Sequence, residues 1–256
     1  MDKAIKFERQ MFSGILATRR QLAEDGQVPI EEVFDLNWEN CVRMQKDEVR
    51  RLRTHDHFND NLNPCFVETG TFHGHGIISA LRRGCVDIHS IEIQRDLFER
   101  NVKLFQSGLG IINYQDFEIE TYTNNNFFSI CFDGKIRISL YGGDSCRTLP
   151  LVLGRVNTKS TFWLDAHYSG GGTGFSEESG EMPIYQELNL IKNHNIKNHT
   201  IMIDDINDFE EIYPNEIPKL KSIILSINEN YNVEILPKPS DKKGRFLLAK
   251  VDEKGE

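Results

Sequence analysis

The chain has 256 residues, of which 39% are hydrophobic and 27% charged, a composition ordinary for a globular protein. That length suffices for one large domain, or for one domain with an appendage. Asp and Glu outnumber Lys and Arg by 39 to 30, which disfavours a nucleic-acid partner because surfaces that bind phosphates are usually basic.

The first 63 residues differ from the rest and are predicted to form a helical N-terminal extension. Apolar residues recur at helical spacing over 7–16, and a charged helical pattern covers 37–53. A polar loop then leads to Pro64. His55 and His57 in that loop are predicted to face solvent rather than to bind metal.

A glycine-rich turn follows a short apolar strand over 65–67 and precedes a helical pattern over 77–81. A strand, turn and helix in this order bring backbone N–H groups and a helix N-terminus to one point. The spacing after Glu68 is G-x-x-x-G-x-G, at Gly70, Gly74 and Gly76, rather than the dinucleotide pattern G-x-G-x-x-G. Tight turns also need glycine for steric reasons alone, so a purely structural role stays open.

From Pro64 onward, strands alternate with helices, which predicts a parallel sheet covered on both faces. We expect residues 64–256 to form one α/β domain with a doubly wound, mostly parallel seven-stranded sheet. The predicted strands cover 65–67, 88–93, 136–141, 161–164, 201–203, 233–236 and 245–251. The last two, joined by Pro237-Lys238-Pro239, suit an antiparallel end to the sheet. Residues 111–135 are read as an inserted hairpin or a surface loop, and 169–180 as a glycine-rich loop.

Acidic residues lie at or just after the ends of two predicted strands. Glu92 ends the second strand, where doubly wound folds place a carboxylate that binds ribose hydroxyls. The alternative is a surface carboxylate at a strand end. Asp144 and Ser145 follow the third strand, and Asp144 also suits the N-cap of the next helix.

Three further carboxylates follow the fourth and fifth strands. Asp165 ends the fourth strand, and Asp204 and Asp205 end the fifth. If these strands are neighbours, the three carboxylates converge and repel one another unless a cation neutralises them. Oxygen ligands suit Mg²⁺, with Mn²⁺ or Ca²⁺ possible. Taken singly, Asp165 would be read as a turn residue and the Asp pair as an ordinary strand end.

The glycine turn behind an acidic residue resembles the first motif of class I S-adenosylmethionine-dependent methyltransferases. The Leu-Asp-x-His run at 164–167 and Ile-Asp-Asp at 203–205 resemble the metal-dependent sugar O-methyltransferases of the macrocin and novobiocin type, and more distantly catechol O-methyltransferase. The resemblance covers residues 64–251 and implies a Rossmann-like methyltransferase fold. The residues that it implies for S-adenosylmethionine are Glu68, Gly70, Thr71, Gly74, Gly76, Glu92, Asp144 and Ser145.

The same resemblance implies a metal ion, Mg²⁺ or Mn²⁺, on Asp165, Asp204 and Asp205. It gives catalytic roles to Asp165 and to His167. In the family a second aspartate is the general base, and His167 stands in its place. A histidine suits this role because its unperturbed pKa is about 6.5.

We therefore expect transfer of a methyl group to a hydroxyl of a sugar or glycan. The alternatives are a methyltransferase for a catechol-like or other small-molecule hydroxyl, and a non-catalytic module that only binds the cofactor. An NAD-dependent oxidoreductase is the least favoured, since the glycine spacing differs.

Cysteine usage and hydropathy bear on the compartment. The five cysteines are odd in number and show no C-x-x-C pairing, which favours a reducing compartment. No apolar run is long enough to span a bilayer, and the N-terminus does not resemble a signal peptide. The prediction is a cytoplasmic protein with a small-molecule or glycan partner and no membrane or nucleic-acid partner. The sequence sets no oligomeric state.

Overall fold

The computed structural model describes residues 58, 61–109, 119–132, 134–166, 180, 182–207, 215–238 and 241–251. Most of the predicted N-terminal extension lies outside these residues, and so do His167 and most of the glycine-rich loop over 169–180. The predictions made for them therefore stay predictions.

Nine strands form one mixed sheet within the described residues. They are β1 (Cys65–Thr69), β2 (Asp87–Glu92), β3 (Ile119–Asn124), β4 (Phe127–Phe132), β5 (Ile136–Gly142), β6 (Ser160–Leu164), β7 (Thr200–Ile203), β8 (Tyr231–Lys238) and β9 (Asp241–Val251). Their order across the sheet is β3-β4-β5-β2-β1-β6-β7-β9-β8. The five central strands, from β5 to β7, are parallel, and the outer strands pair antiparallel.

Helices cover both faces of the sheet. They are α1 (His75–Arg82), α2 (Arg95–Leu109), α3 (Ser145–Leu153), α4 (Ile184–Asn193) and α5 (Glu216–Ile227). Successive strand residues point to opposite faces, so Phe66 joins the apolar cluster that includes Ile77 of α1 and Phe105 of α2. Val67 joins the cluster on the other face, with Leu188 of α4. The doubly wound, Rossmann-like α/β fold is thereby confirmed. No helix among the described residues is long and apolar enough to cross a membrane.

The sheet has nine strands rather than the predicted seven. All seven predicted strands are present, and β3 and β4 are the additional pair, which adds to the sheet beside β5. Phe128, Ile130 and Phe132 alternate along β4 and are buried, so the hairpin extends the core instead of lying on its surface. Of the two predictions for residues 111–135, an inserted hairpin or a surface loop, the structure shows the hairpin over residues 119–132.

The strand order creates a crevice at one edge of the sheet. From β1 the chain runs through α1 to β2 on one side, whereas β6 lies on the other side of β1. Ligands of open α/β sheets bind at such a reversal, beyond the carboxyl ends of the strands. In this chain the reversal lies between β1 and β6, where the glycine turn and Asp165 both lie.

Candidate functional site

The glycine turn between β1 and α1 is packed closely against the end of β6. Gly70 has a φ of +88°, and a Cβ added there would lie 2.4 Å from the backbone oxygen of Asp165. An L side chain would therefore be strained and would also meet rigid backbone. The glycine lets the turn approach the segment that carries Asp165.

Gly76 makes room for the carboxyl group of Glu68. A Cβ at position 76 would lie 1.7 Å from Glu68 Oε1. The carboxyl group is buried, accepts a hydrogen bond of 2.6 Å from Ser90 Oγ, and lies in a chain that continues to Thr71 Oγ1. Burial raises the pKa of Glu68 to about 8, with the Ser90 hydrogen bond acting in the opposite direction. Burial therefore favours the protonated form of Glu68 at higher pH than for an exposed carboxyl group.

Three N–H groups of the turn are already used within the fold. Those of Gly70 and Thr71 donate to the Ile91 oxygen at 2.9 and 3.1 Å. The Phe72 N–H donates to Glu92 Oε2 at 2.7 Å. The sequence suggests a turn whose backbone N–H groups are available to a ligand. At these three positions the structure shows instead that the N–H groups donate to other parts of the protein.

Glu92 at the end of β2 supports the turn. Its Oε2 accepts from Phe72, and its Oε1 accepts from the Gln94 N–H at 2.8 Å. Burial raises the pKa of Glu92, while these backbone hydrogen bonds lower it. Because each carboxylate oxygen has two lone pairs, the carboxylate retains acceptor capacity for a ligand hydroxyl.

Asp144 is the N-cap of α3, as one of its two predicted roles required. Its Oδ1 accepts a hydrogen bond of 2.8 Å from the Cys146 N–H. Ser145, the first residue of the helix, is buried. Glu187 of α4 is buried nearby and was not singled out from the sequence. Burial raises the pKa of Glu187 to about 7, and hydrogen bonds with Ser145 and Thr69 act in the opposite direction.

Three carboxylates meet at the carboxyl ends of β6 and β7. Asp165 follows β6, and Asp204 and Asp205 follow β7, which is its parallel neighbour. One carboxylate oxygen from each lies within 4.8 Å of the others. We call this group the acidic cluster. The structure thus brings these residues together, and the binding of a metal ion there stays a prediction.

The acidic cluster is electrostatically unfavourable without a cation. Burial is the largest cause that raises the pKa of Asp165 well above its usual range, and repulsion from Asp204 and Asp205 follows. Burial likewise raises the pKa of Asp204 to about 7, with Asp205 adding to the shift. Three oxygen donors so arranged fit a hard divalent ion, which would relieve the repulsion.

Lys238 at the end of β8 supplies a cation that no sequence motif indicated. Its Nζ contacts Asp204 Oδ1 and lies 2.7 Å from Asp205 Oδ1. Burial alone would lower the pKa of Lys238, but the two carboxylates raise it, so that the ammonium stays charged. The available signal was a lysine between two prolines near the predicted antiparallel edge. That pattern was read only as a connection between strands.

A single cavity joins the glycine turn to the acidic cluster. It is lined by Glu68, Gly70, Thr71, Phe72, His73, His75, Gly76, Trp163, Asp165, Asp204 and Lys238. Among the predicted site residues that the structure describes, five are absent from this lining, namely Gly74, Glu92, Asp144, Ser145 and Asp205. Of these, Asp205 belongs to the acidic cluster, whose other two members line the cavity, and Glu92 accepts a hydrogen bond from Phe72, which also lines it.

Phe72 is a wall of this cavity that the sequence analysis did not single out. Its φ is +46°, a strained value for a bulky residue, and its side chain is 47% exposed. Its N–H donates to Glu92, and its oxygen accepts from Asn101 Nδ2 at 2.7 Å. Buried polar groups thus hold an aromatic ring at the mouth of the cavity. Asn101 lies in an amphipathic helical pattern that gives no signal of this contact.

Comparisons with known proteins give structural neighbours but no sequence relative. No protein-family model matches the sequence, and no curated protein matches it. Among solved structures, the chain is similar to the O-methyltransferase TomG of Streptomyces achromogenes, in complex with S-adenosylmethionine. The identity is 13% and the TM-score 0.47, over 93% of this chain and 90% of that one.

Two other neighbours show the range of the likeness. An O-methyltransferase from Bacillus cereus is 13% identical, with a TM-score of 0.48 over 93% of this chain and 90% of that one. The fibrillarin pre-rRNA processing protein of Methanococcus jannaschii is 11% identical, with a TM-score of 0.44 over 77% of this chain and 70% of that one. At these identities and TM-scores, the likeness concerns the fold alone.

Proposed function

We propose that the chain is a divalent-metal-dependent O-methyltransferase, which transfers the methyl group of S-adenosylmethionine to a hydroxyl of a sugar or glycan. The observation that supports this most strongly is the cavity that joins the glycine turn to the acidic cluster. A cofactor crevice and a site for a hard cation share one edge of the sheet, where a methyl donor and a metal-bound acceptor would have to meet.

The cofactor would lie across the crevice between β1 and β6. Glu68, Gly70, Thr71 and Gly76 line the cavity on the side of the turn. In the proposal, Glu92 accepts hydrogen bonds from the ribose hydroxyls, and Asp144 and Ser145 lie near the adenine. Gly74, with a φ of +76°, lets the turn enter α1. When bound, S-adenosylmethionine supplies an activated methyl group.

The metal ion would be held by Asp165, Asp204 and Asp205. Carboxylate oxygens match Mg²⁺ or Mn²⁺ better than they match softer metals. A bound divalent ion acts as a Lewis acid that lowers the pKa of a coordinated hydroxyl. Since an ion can chelate two adjacent oxygens, the acceptor class is a compound with neighbouring hydroxyls.

The protein's own groups would then orient the acceptor and remove its proton. Asp165 belongs to the acidic cluster and its backbone lies against Gly70 of the turn, so it would fix the acceptor beside the cofactor. His167, two residues further along the chain, would accept the hydroxyl proton on a ring nitrogen. The rings of Phe72 and Trp163 would exclude water from the reacting groups. In keeping with its cysteine usage, we place this activity in the cytoplasm.

The proposal is tested by following methyl transfer from labelled S-adenosylmethionine to a panel of acceptors. The panel pairs sugars that carry adjacent hydroxyls with catechols and with monohydroxyl controls. We expect transfer to a sugar diol in Mg²⁺ that is abolished by a chelator and falls at least about 100-fold in Asp204→Asn. Transfer to catechol but to no sugar would show that the acceptor is a phenol and would contradict the proposed sugar substrate. Cofactor binding without transfer to any acceptor would contradict the proposed activity.

A further inference from the structure

We propose that Lys238 and a divalent ion compete for the carboxyl groups of Asp204 and Asp205, so that the ion enters the acidic cluster only when Lys238 leaves it. This inference rests on the proposed function for the identity of the ion. It concerns a residue of the closing strands that neither the sequence motifs nor the proposed mechanism assigns.

Lys238 contacts two of the three carboxyl groups that would hold the ion. Its Nζ contacts Asp204 Oδ1 and lies 2.7 Å from Asp205 Oδ1. Both residues belong to the acidic cluster. Because Mg²⁺ binds oxygen at about 2.0–2.1 Å, an ion held by these carboxylates would lie close to the ammonium that contacts two of them. Two cations so close repel each other, and we therefore expect one to exclude the other from the cluster.

The backbone directs Lys238 into the cluster. The ladder between β8 and β9 changes register between Pro237 and Lys238, where Lys238 faces Asp241. Irregularities of this kind re-aim a side chain, and proline in sheets is found at such positions on edge strands. The Lys238 side chain is only 13% exposed. It therefore differs from a surface lysine that contacts a carboxylate by chance.

The position of Lys238 allows its ammonium to leave the acidic cluster when an ion enters. Lys238 lies on β8, the strand at one edge of the sheet. Because a lysine has a flexible four-carbon stem, its ammonium can turn from the cluster toward solvent. A site that is occupied by an internal cation for most of the time binds an external one with reduced apparent affinity. Lys238 would thus weaken ion binding while keeping the acidic cluster neutralised between ions.

The first experiment is a calorimetric titration of Mg²⁺ into the wild-type chain and into Lys238→Met, which keeps the length of the side chain but not its charge. We expect the variant to bind Mg²⁺ at least about ten-fold more tightly, because repulsion between nearby charges is removed. Lys219→Met is the matched control, since Lys219 pairs with Glu216 on the exposed face of α5. It should bind Mg²⁺ as the wild type does.

A second measurement needs no variant. The acetylation rate of each lysine by an amine-reactive ester is followed by peptide mass spectrometry as Mg²⁺ is added. Lys238 should be slow to react in the metal-free chain and faster with Mg²⁺, whereas Lys219 should not change. Equal Mg²⁺ affinity in wild type and Lys238→Met, no binding in either, or a Lys238 rate indifferent to Mg²⁺ would each overturn the competition.

The failure of this inference can be told from the failure of the proposed function. Methyl transfer is assayed in parallel on the same proteins. Mg²⁺-dependent transfer with unchanged affinity in Lys238→Met would leave the function and remove the competition. Displacement of Lys238 by Mg²⁺ without any transfer would keep the competition and remove the function.

Discussion

At the scale of single residues, the glycine turn is fixed by what each glycine faces. Gly70 faces the backbone of Asp165, and Gly76 faces the carboxyl group of Glu68. The spacing of the glycines could be read from the sequence, but the atoms that exclude a side chain could not. They belong to a neighbouring strand in one case and to a buried acid in the other.

Gly76→Ala is expected to destabilise the chain by about 2–4 kcal/mol, because its Cβ would overlap Glu68 Oε1 and overpacking has costs of this order. Urea unfolding measures the change. Gly154→Ala is the control, since a Cβ there meets only ordinary contacts at 3.6 Å. Combining Gly76→Ala with Glu68→Ala should recover part of the loss. A full, additive loss in the double variant would contradict this account.

Glu68 should make stability depend on pH. Its pKa is raised by burial from 4.5 to about 8, so between these values the folded chain binds more protons than the unfolded chain. The free energy of unfolding therefore falls as pH rises through that window. Glu68→Gln cannot titrate and should show a shallower fall, with its advantage over wild type growing from pH 4.5 to 8. Denaturant titrations across this range measure the slope, and parallel profiles would contradict the assignment.

At the scale of elements, the features that the alternation of strands and helices in the sequence did not predict lie at the two ends of the sheet. The hairpin of β3 and β4 extends one end, and the irregular ladder of β8 and β9 brings Lys238 to the acidic cluster at the other. The central strands were readable because they are short apolar runs between turn signals. The contact of Lys238 with the acidic cluster could not be predicted, since it depends on a change of register in an edge strand.

The hairpin should be an integral part of the core. Ile130 of β4 is fully buried, whereas Thr121, its partner on β3, is exposed. Ile130→Ala is expected to cost about 2–5 kcal/mol of unfolding free energy, as is usual for a buried aliphatic side chain. Thr121→Ala should stay within about 0.5 kcal/mol of wild type. A loss in both, or in neither, would show that the hairpin does not pack as described.

At the scale of the molecule, the fold was more predictable than the site. All seven predicted strands and the doubly wound arrangement could be read, because periodicity and strand ends are local properties of the sequence. The meeting of Asp165 with Asp204 and Asp205 followed once β6 and β7 were expected to be neighbours. The hydrogen bonds that the backbone N–H groups of Phe72 and Gln94 donate to Glu92 could not be predicted from the sequence. They depend on how the turn folds back over the end of β2.

The most direct test of the proposed site is a calorimetric titration of S-adenosylmethionine into the wild-type chain and Asp204→Asn, each with and without Mg²⁺. We predict that the cofactor binds the wild type, and that Mg²⁺ adds a response that Asp204→Asn lacks, because the acidic cluster loses a ligand charge. If S-adenosylmethionine binds neither protein under any of these conditions, the cofactor site built on the glycine turn is contradicted.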